Sequence, residues 1–158
     1  TVNNIIGFPG ETRELVFDTI ALNRQMGSDS VNAYIYTPYR GTAMYADAAS
    51  KGFIDPEAET NSIITGSILN MPTMSKDEIL GLVRTFSLYI KFPEEEWTDI
   101  AEAEKFTPEG DSKFAALSER YYERFFDHDF KRTKKACFST QVYDGPEPEK
   151  QETEIITG

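Results

Sequence analysis

The chain has 158 residues, 39% of them hydrophobic, and a formal charge of −11, which suits one ordinary domain with a real core. So acidic a balance argues against a nucleic-acid surface, which needs a basic stripe, but leaves room for a small anionic substrate held by a few local cations. No apolar run nears the roughly 20 residues of a membrane helix, no signal-peptide pattern opens the chain, and the single cysteine, Cys137, makes no internal disulfide; a cytoplasmic location is expected.

Residues 2–8, Val-Asn-Asn-Ile-Ile-Gly-Phe, read as a short buried strand ended by Gly7 and Pro9. Gly7 and Gly10 let the backbone turn sharply or approach a ligand. Thr12 can cap the helix that follows, with Glu11 and Glu14 near its positive end. Leu15, Val16, Thr19, Ile20, Leu22 and Met26 give that helix an apolar face, and Gly27 closes it. Residues 30–37 form a second strand with Val31, Ala33 and Ile35 on one face and Asn32, Tyr34 and Tyr36 on the other. Strand, helix, strand means parallel pairing with a crossover, an α/β arrangement. The apolar face meets the helices; the Asn/Tyr face lines either a ligand cavity or a packed interior whose hydroxyls find partners at the rim.

Thr37-Pro38-Tyr39-Arg40-Gly41-Thr42 turns the chain at the C-terminal end of that strand, the end at which α/β barrels bind ligands. Arg40 can meet a carboxylate or phosphate there, or serve as a solvated loop residue or structural ion pair. Thr42 caps a short helix carrying Met44, Tyr45, Ala48 and Ala49, stopped by Gly52. Residues 57–74 form a connecting segment whose Ile63, Ile64, Ile68 and Leu69 need cover. Ser75 and Glu78 match a capping box before a helix with Ile79, Leu82, Val83, Phe86 and Ile90 inward. Pro93 opens another helix; Glu94, Glu95 and Glu96 suit its first turn and do not converge on a metal. Thr107 to Gly110 breaks the chain, and Asp111 or Ser112 starts a last helix with a Phe114, Leu117, Tyr121, Phe125 stripe widened by Tyr122, Phe126 and Phe130. His128 reads as a solvated helix-end histidine, residues 131–135 as a basic helix end, 136–143 as one more strand, and 144–158 as a loosely ordered tail.

The order Ile-Ile-Gly-Phe-Pro-Gly-Glu-Thr, helix, Tyr-Ile-Tyr-Thr-Pro-Tyr-Arg-Gly-Thr resembles the late part of the radical SAM barrel, above all in the subgroup that carries a cobalamin-binding domain. The resemblance is most specific over residues 2–55. It implies residues 1–56 as the last βα units of a partial (β/α) barrel, 57–74 as a connector and 75–143 as a mainly helical extension. It implies that Ile6, Gly7, Phe8 and Glu11, from the fifth strand, and Tyr34, Tyr36 and Pro38, from the sixth, seat S-adenosylmethionine, with Phe8 or Tyr36 stacked on adenine and Arg40 toward substrate. Glu11 resembles the acid closing the family's GxIxGxxE motif, although it follows Gly7 by four positions rather than three. The family's CxxxCxxC cluster motif is absent from the chain, which also opens without Met. The expectation is a C-terminal portion of a larger enzyme, inactive alone. Its missing N-terminal part would hold the 4Fe-4S cluster and any cobalamin domain. In that family the cluster cleaves S-adenosylmethionine to a 5′-deoxyadenosyl radical that abstracts hydrogen from a small-molecule substrate. The residues alone also allow a phosphate-binding α/β unit using its Gly-rich turns, or a non-catalytic interaction module.

Overall fold

The computed structural model describes residues 1–54 and 67–125. Ile63, Ile64, Phe126, His128, Phe130, Cys137, the basic run 131–135, the strand expected at 136–143 and the tail 144–158 lie outside them.

Two short β-branched runs make the sheet. β1 (Val2–Ile6) and β2 (Val31–Ile35) pair in parallel, Val2 opposite Val31 and Ile6 opposite Ile35. A parallel pair needs a crossover, and α1 (Arg13–Met26) supplies it. The class is therefore α/β, a small parallel sheet with helices. Among the described residues only one face is covered. Ile6, Val31 and Ile35 are buried, while Ile5 and Tyr34, paired on the other face, are 53% and 38% exposed. Among the described residues the first strand is thus half-buried, not buried throughout: Ile6 joins the core with the helices, whereas Ile5 does not.

Helix α1 corrects its expected face. Val16, Ile20 and Asn23 are buried, whereas Leu15, Leu22 and Met26 stand at the surface. Periodicity groups residues into stripes but does not say which stripe is covered. Asn23 goes inside because Asn4 of β1 answers it: Asn23 Nδ2 donates to Asn4 Oδ1 at 2.9 Å and to the Thr19 carbonyl at 2.8 Å. Both polar groups are thereby satisfied.

The remaining helices start where local chemistry starts them. Thr42 caps α2 (Ala43–Ser50), its Oγ1 accepting the Tyr45 N–H at 3.2 Å. Ser75 Oγ accepts the Glu78 N–H at 3.1 Å and caps α3 (Lys76–Lys91). Helix α3 buries Ile79, Leu82, Phe86, Tyr89 and Ile90 and packs on both β2 and α1. A 3-10 turn over Glu94–Glu96 leads into α4 (Trp97–Ala103), which buries Ile100 and Ala103. Helix α5 (Pro108–Phe125) begins earlier than expected. Proline is favoured in a helix's first turn, and Thr107 Oγ1 accepts the Gly110 N–H at 3.1 Å. Gly110 is no break: a Cβ there would lie 2.1 Å from the Lys105 carbonyl oxygen, so its bareness lets α5 fold back on α4.

Glu104, just past α4, ties three helices together. Its carboxylate accepts two bonds from Arg13 of α1, at 2.8 and 2.7 Å, and one from the Tyr89 hydroxyl of α3. The bond to Glu104 raises the Arg13 guanidinium's proton affinity; burial, then the bond to Glu104, pushes the Tyr89 phenol up. At its other end α1 reaches α3 again. Arg24 donates to the Tyr89 and Phe92 carbonyls, both at 2.7 Å, and Lys91 Nζ donates to the Ser28 carbonyl at 2.5 Å.

Two outcomes are expected. Gly81 of α3 faces the end of α4 so closely that an added Cβ would lie 2.7 Å from the Glu104 carbonyl oxygen. Alanine gains about 1 kcal/mol of helix propensity, but overpacking against backbone costs about 1–3 kcal/mol, so Gly81→Ala should lower the urea midpoint; a raised midpoint would show that α3 and α4 are not held at this spacing. Tyr89, with its folded pKa above the ordinary 10.0, contributes stability that is fully present below pH 10 and is lost as pH rises through the folded value. Wild-type stability should therefore fall more steeply above about pH 10 than that of Tyr89→Phe; equal slopes would remove Tyr89 from the alkaline transition.

Candidate functional site

The sheet's C-terminal edge carries the residues singled out in the sequence. After β1 the chain turns through Gly7-Phe8-Pro9-Gly10, with φ of +87° at Gly7 and +86° at Gly10, values that side-chain-bearing residues rarely adopt. Glu11 holds this turn from inside. Its Oε2 accepts the Gly7 N–H at 2.5 Å and the Phe8 N–H at 3.2 Å, and the Glu11 N–H donates back to the Phe8 carbonyl at 2.9 Å. Charge-assisted bonds to two backbone donors make it a clamp. Thr12 then caps α1, its Oγ1 accepting the Leu15 N–H at 3.5 Å. Underneath, a Cβ on Gly7 would lie 3.2 Å from Ile79 of α3, so the turn rests on the helical layer.

Phe8 leaves this turn to stack on Tyr36 at the end of β2, ring centroids 4.6 Å apart and planes at 27°. The Tyr36 N–H donates to the Ile6 carbonyl at 2.7 Å, which carries the strand pairing up to the rings. Burial pushes the Tyr36 phenol above its ordinary pKa, so it stays neutral at physiological pH. Lower on the same open face lie Ile5 and Tyr34, and below them Asn32 Nδ2 donates to Asn3 Oδ1 at 3.1 Å. Beyond Tyr36, Thr37 is 8% exposed, and its hydroxyl meets no hydrogen-bond partner among the described residues.

The fold thus brings Gly7, Phe8 and Tyr36 together at adjoining strand ends, with Glu11 behind them and Tyr34 on the face below. Ile6 is different. Its side chain is fully buried in the core beneath the helices, so only its backbone reaches the strand end. Pro38 is buried after β2, and Arg40 lies in the exposed turn before Gly41. Two residues went unnoticed in the sequence. Ile5 is legible from strand alternation once β1 and β2 are set in register. The orphaned hydroxyl of Thr37 has no sequence signal, because it depends on what surrounds it.

This surface is aromatic and apolar, with a neutral phenol and one uncommitted hydroxyl. It suits a flat base better than an anion. The Gly7 and Phe8 N–H groups that a phosphate would use are already taken, and by a carboxylate that repels it. No group of three or more potential metal ligands occurs among the described residues. An iron–sulfur cluster does not fit the donor set of this chain, which has one cysteine where three or four thiolates are needed. No described helix is long and apolar enough to cross a membrane.

No family model matches the chain, and no solved structure matches it. Among curated proteins it is similar to the tRNA-2-methylthio-N(6)-dimethylallyladenosine synthase of Deinococcus radiodurans, with 49% identity over 41 residues. It is also similar to the enzyme of the same name from Halalkalibacterium halodurans, with 48% identity over 42 residues. The shared stretch covers 26% and 27% of this chain and 8% of each relative. These matches support a relation to the radical SAM enzymes and do not extend to the cobalamin-binding subgroup.

Proposed function

We propose that this chain is the C-terminal portion of a radical SAM enzyme and forms the wall against which S-adenosylmethionine is seated. Residues 1–56 are then late units of a partial (β/α) barrel, 57–74 a connector and 75–143 a helical cover. The observation that carries the reading is the Phe8–Tyr36 stack above Gly7 at adjoining parallel strand ends. Gly7 turns the chain at a positive φ and rests on Ile79, which leaves the two rings and Ile5 on one open face that can shelter a flat base. The short matches to curated radical SAM relatives support the same reading.

Each residue then has a task. Phe8 and Tyr36 present their rings to the base, Tyr34 and Ile5 continue the open face below, and the buried Ile6 and Gly7 act only by shaping the strand end that carries the rings. Glu11 holds the turn in shape. Pro38 stiffens the chain after Thr37, and Arg40 reaches toward the substrate. S-adenosylmethionine, with a 4Fe-4S cluster held by cysteines elsewhere in the polypeptide, supplies the radical hydrogen abstraction when bound; this chain's residues bind, orient and exclude water. Cobalamin use, with methyl transfer or ring closure, rests only on the resemblance of the two strand-end motifs. The relatives are named for a modified tRNA base, but a charge of −11 weighs against this portion gripping an RNA backbone. A small-molecule substrate fits it better.

The test is S-adenosylmethionine binding by the full polypeptide after anaerobic reconstitution with iron and sulfide. Wild type should bind it, and Tyr36→Ala should weaken binding about tenfold, the equivalent of one lost aromatic contact of about 1.4 kcal/mol. No binding, or an affinity untouched by the substitution, would sink the reading. Glu11→Ala leaves two backbone donors without their carboxylate and should cost about 1–2 kcal/mol of folding stability in urea titration. A variant as stable as wild type would show that the turn does not need its clamp.

A further inference from the structure

Asparagine is depleted in strands, yet Asn3, Asn4 and Asn32 take three positions of two five-residue strands. Asn4 is accounted for: it turns to the core face and meets Asn23 of α1. Asn3 and Asn32 cap no helix and fill no core. They stand opposite each other in the register, on the open face that carries Ile5, Tyr34 and Tyr36. Asn32 Nδ2 donates to Asn3 Oδ1 at 3.1 Å.

That bond leaves a defined remainder. A carboxamide has two N–H donors and an oxygen with two lone pairs. Among the described residues, Asn3 Nδ2 keeps both hydrogens and Asn32 Oδ1 keeps both lone pairs. The pair therefore offers a donor beside an acceptor, with both side chains already held by the cross-strand bond. Its complement is an acceptor beside a donor, the edge of a carboxamide, lactam or cyclic urea. The same face is without charge. A chain in which 27% of residues are charged places no Asp, Glu, Lys or Arg in either strand. Ile5 and Tyr34, one step up, are exposed. Asn32 lies four residues before Tyr36, about 13 Å along an extended strand, too far for a base lying on the Phe8–Tyr36 rings to reach.

We propose that Asn3 and Asn32 form the polar end of the substrate cavity and select an uncharged substrate with an amide-type edge. Asn3 Nδ2 donates to the carbonyl of that edge, its N–H donates to Asn32 Oδ1, and its apolar body lies on Ile5 and Tyr34. A carboxylate or phosphate would face the lone pairs of Asn32 and find no cation in either strand. This names the substrate class for the face already described and rests on the reading of that face as the wall of a small-molecule cavity.

The probe is 2-quinolone, a lactam fused to a flat apolar ring, compared with N-methyl-2-quinolone, which keeps the carbonyl but lacks the N–H. Equilibrium dialysis with the full polypeptide, before any reconstitution with iron, should show 2-quinolone bound at least tenfold more tightly, because a site built to hydrogen-bond a group rejects the analogue without it. Asn3→Asp keeps an acceptor for Asn32 Nδ2 but removes the donor, and should cut 2-quinolone affinity at least tenfold. Equal affinity for the two probes in wild type overturns the proposal whatever the variant does. No binding of either probe overturns it as well, and so does a preference that a folded Asn3→Asp variant leaves intact. Displacement of 2-quinolone by S-adenosylmethionine also overturns it, because the pair would then belong to the cofactor's seat. Lactam selection without S-adenosylmethionine binding leaves the polar end standing and removes the radical SAM reading. S-adenosylmethionine binding that Tyr36→Ala weakens, without lactam selection, removes the polar end alone.

Discussion

The carboxylate of Glu104 is the point on which the helical layer depends. Arg13, Tyr89 and Glu104 come from three different elements and converge in a partly buried place, where an unpaired charge would be costly. The convergence is possible only because Gly81 has no side chain, which lets the end of α4 lie against α3. The pair therefore sets geometry more than it adds net stability. It fixes where α1 begins, and α1 begins at the turn that carries Phe8. The path from a contact between helices to a ring above a strand end is short and mostly covalent.

Much of this architecture was legible as local chemistry. Thr12, Thr42 and Ser75 announce helix starts because a hydroxyl before an apolar period has one good use, and each of them caps the helix it precedes. The two faces of β2 follow from alternation alone. Of the candidate site, the strand-end turns could be found in the sequence, and so could the aromatic residues beside them.

What was not legible depends on distance along the chain or on competition between equivalent choices. Arg13 and Glu104 are 91 positions apart, and nothing local marks either for the other. The broad apolar face expected on α1 is only partly covered, and the neighbours decide that Val16 and Ile20 go inside with Asn23 while Leu15, Leu22 and Met26 do not. Gly110 looks like a helix breaker until Lys105 is seen beneath it. Glu11 drew attention as an acid near a helix start. Its bonds to Gly7 and Phe8 depend on a backbone turn that sequence pattern does not specify.

Helix α1 is pinned at both ends, by Arg13 to Glu104 and by Arg24 to the last carbonyls of α3. An isolated helix loses its terminal turns first, each end independently. Here neither end can fray without also uncapping a neighbour, so α1 and the C-terminal half of α3 open as one cooperative unit. The strand-end turn joins that unit along the chain through Glu11 and Thr12 alone, and both of those residues are themselves bonded, Glu11 to the turn and Thr12 to the first turn of α1.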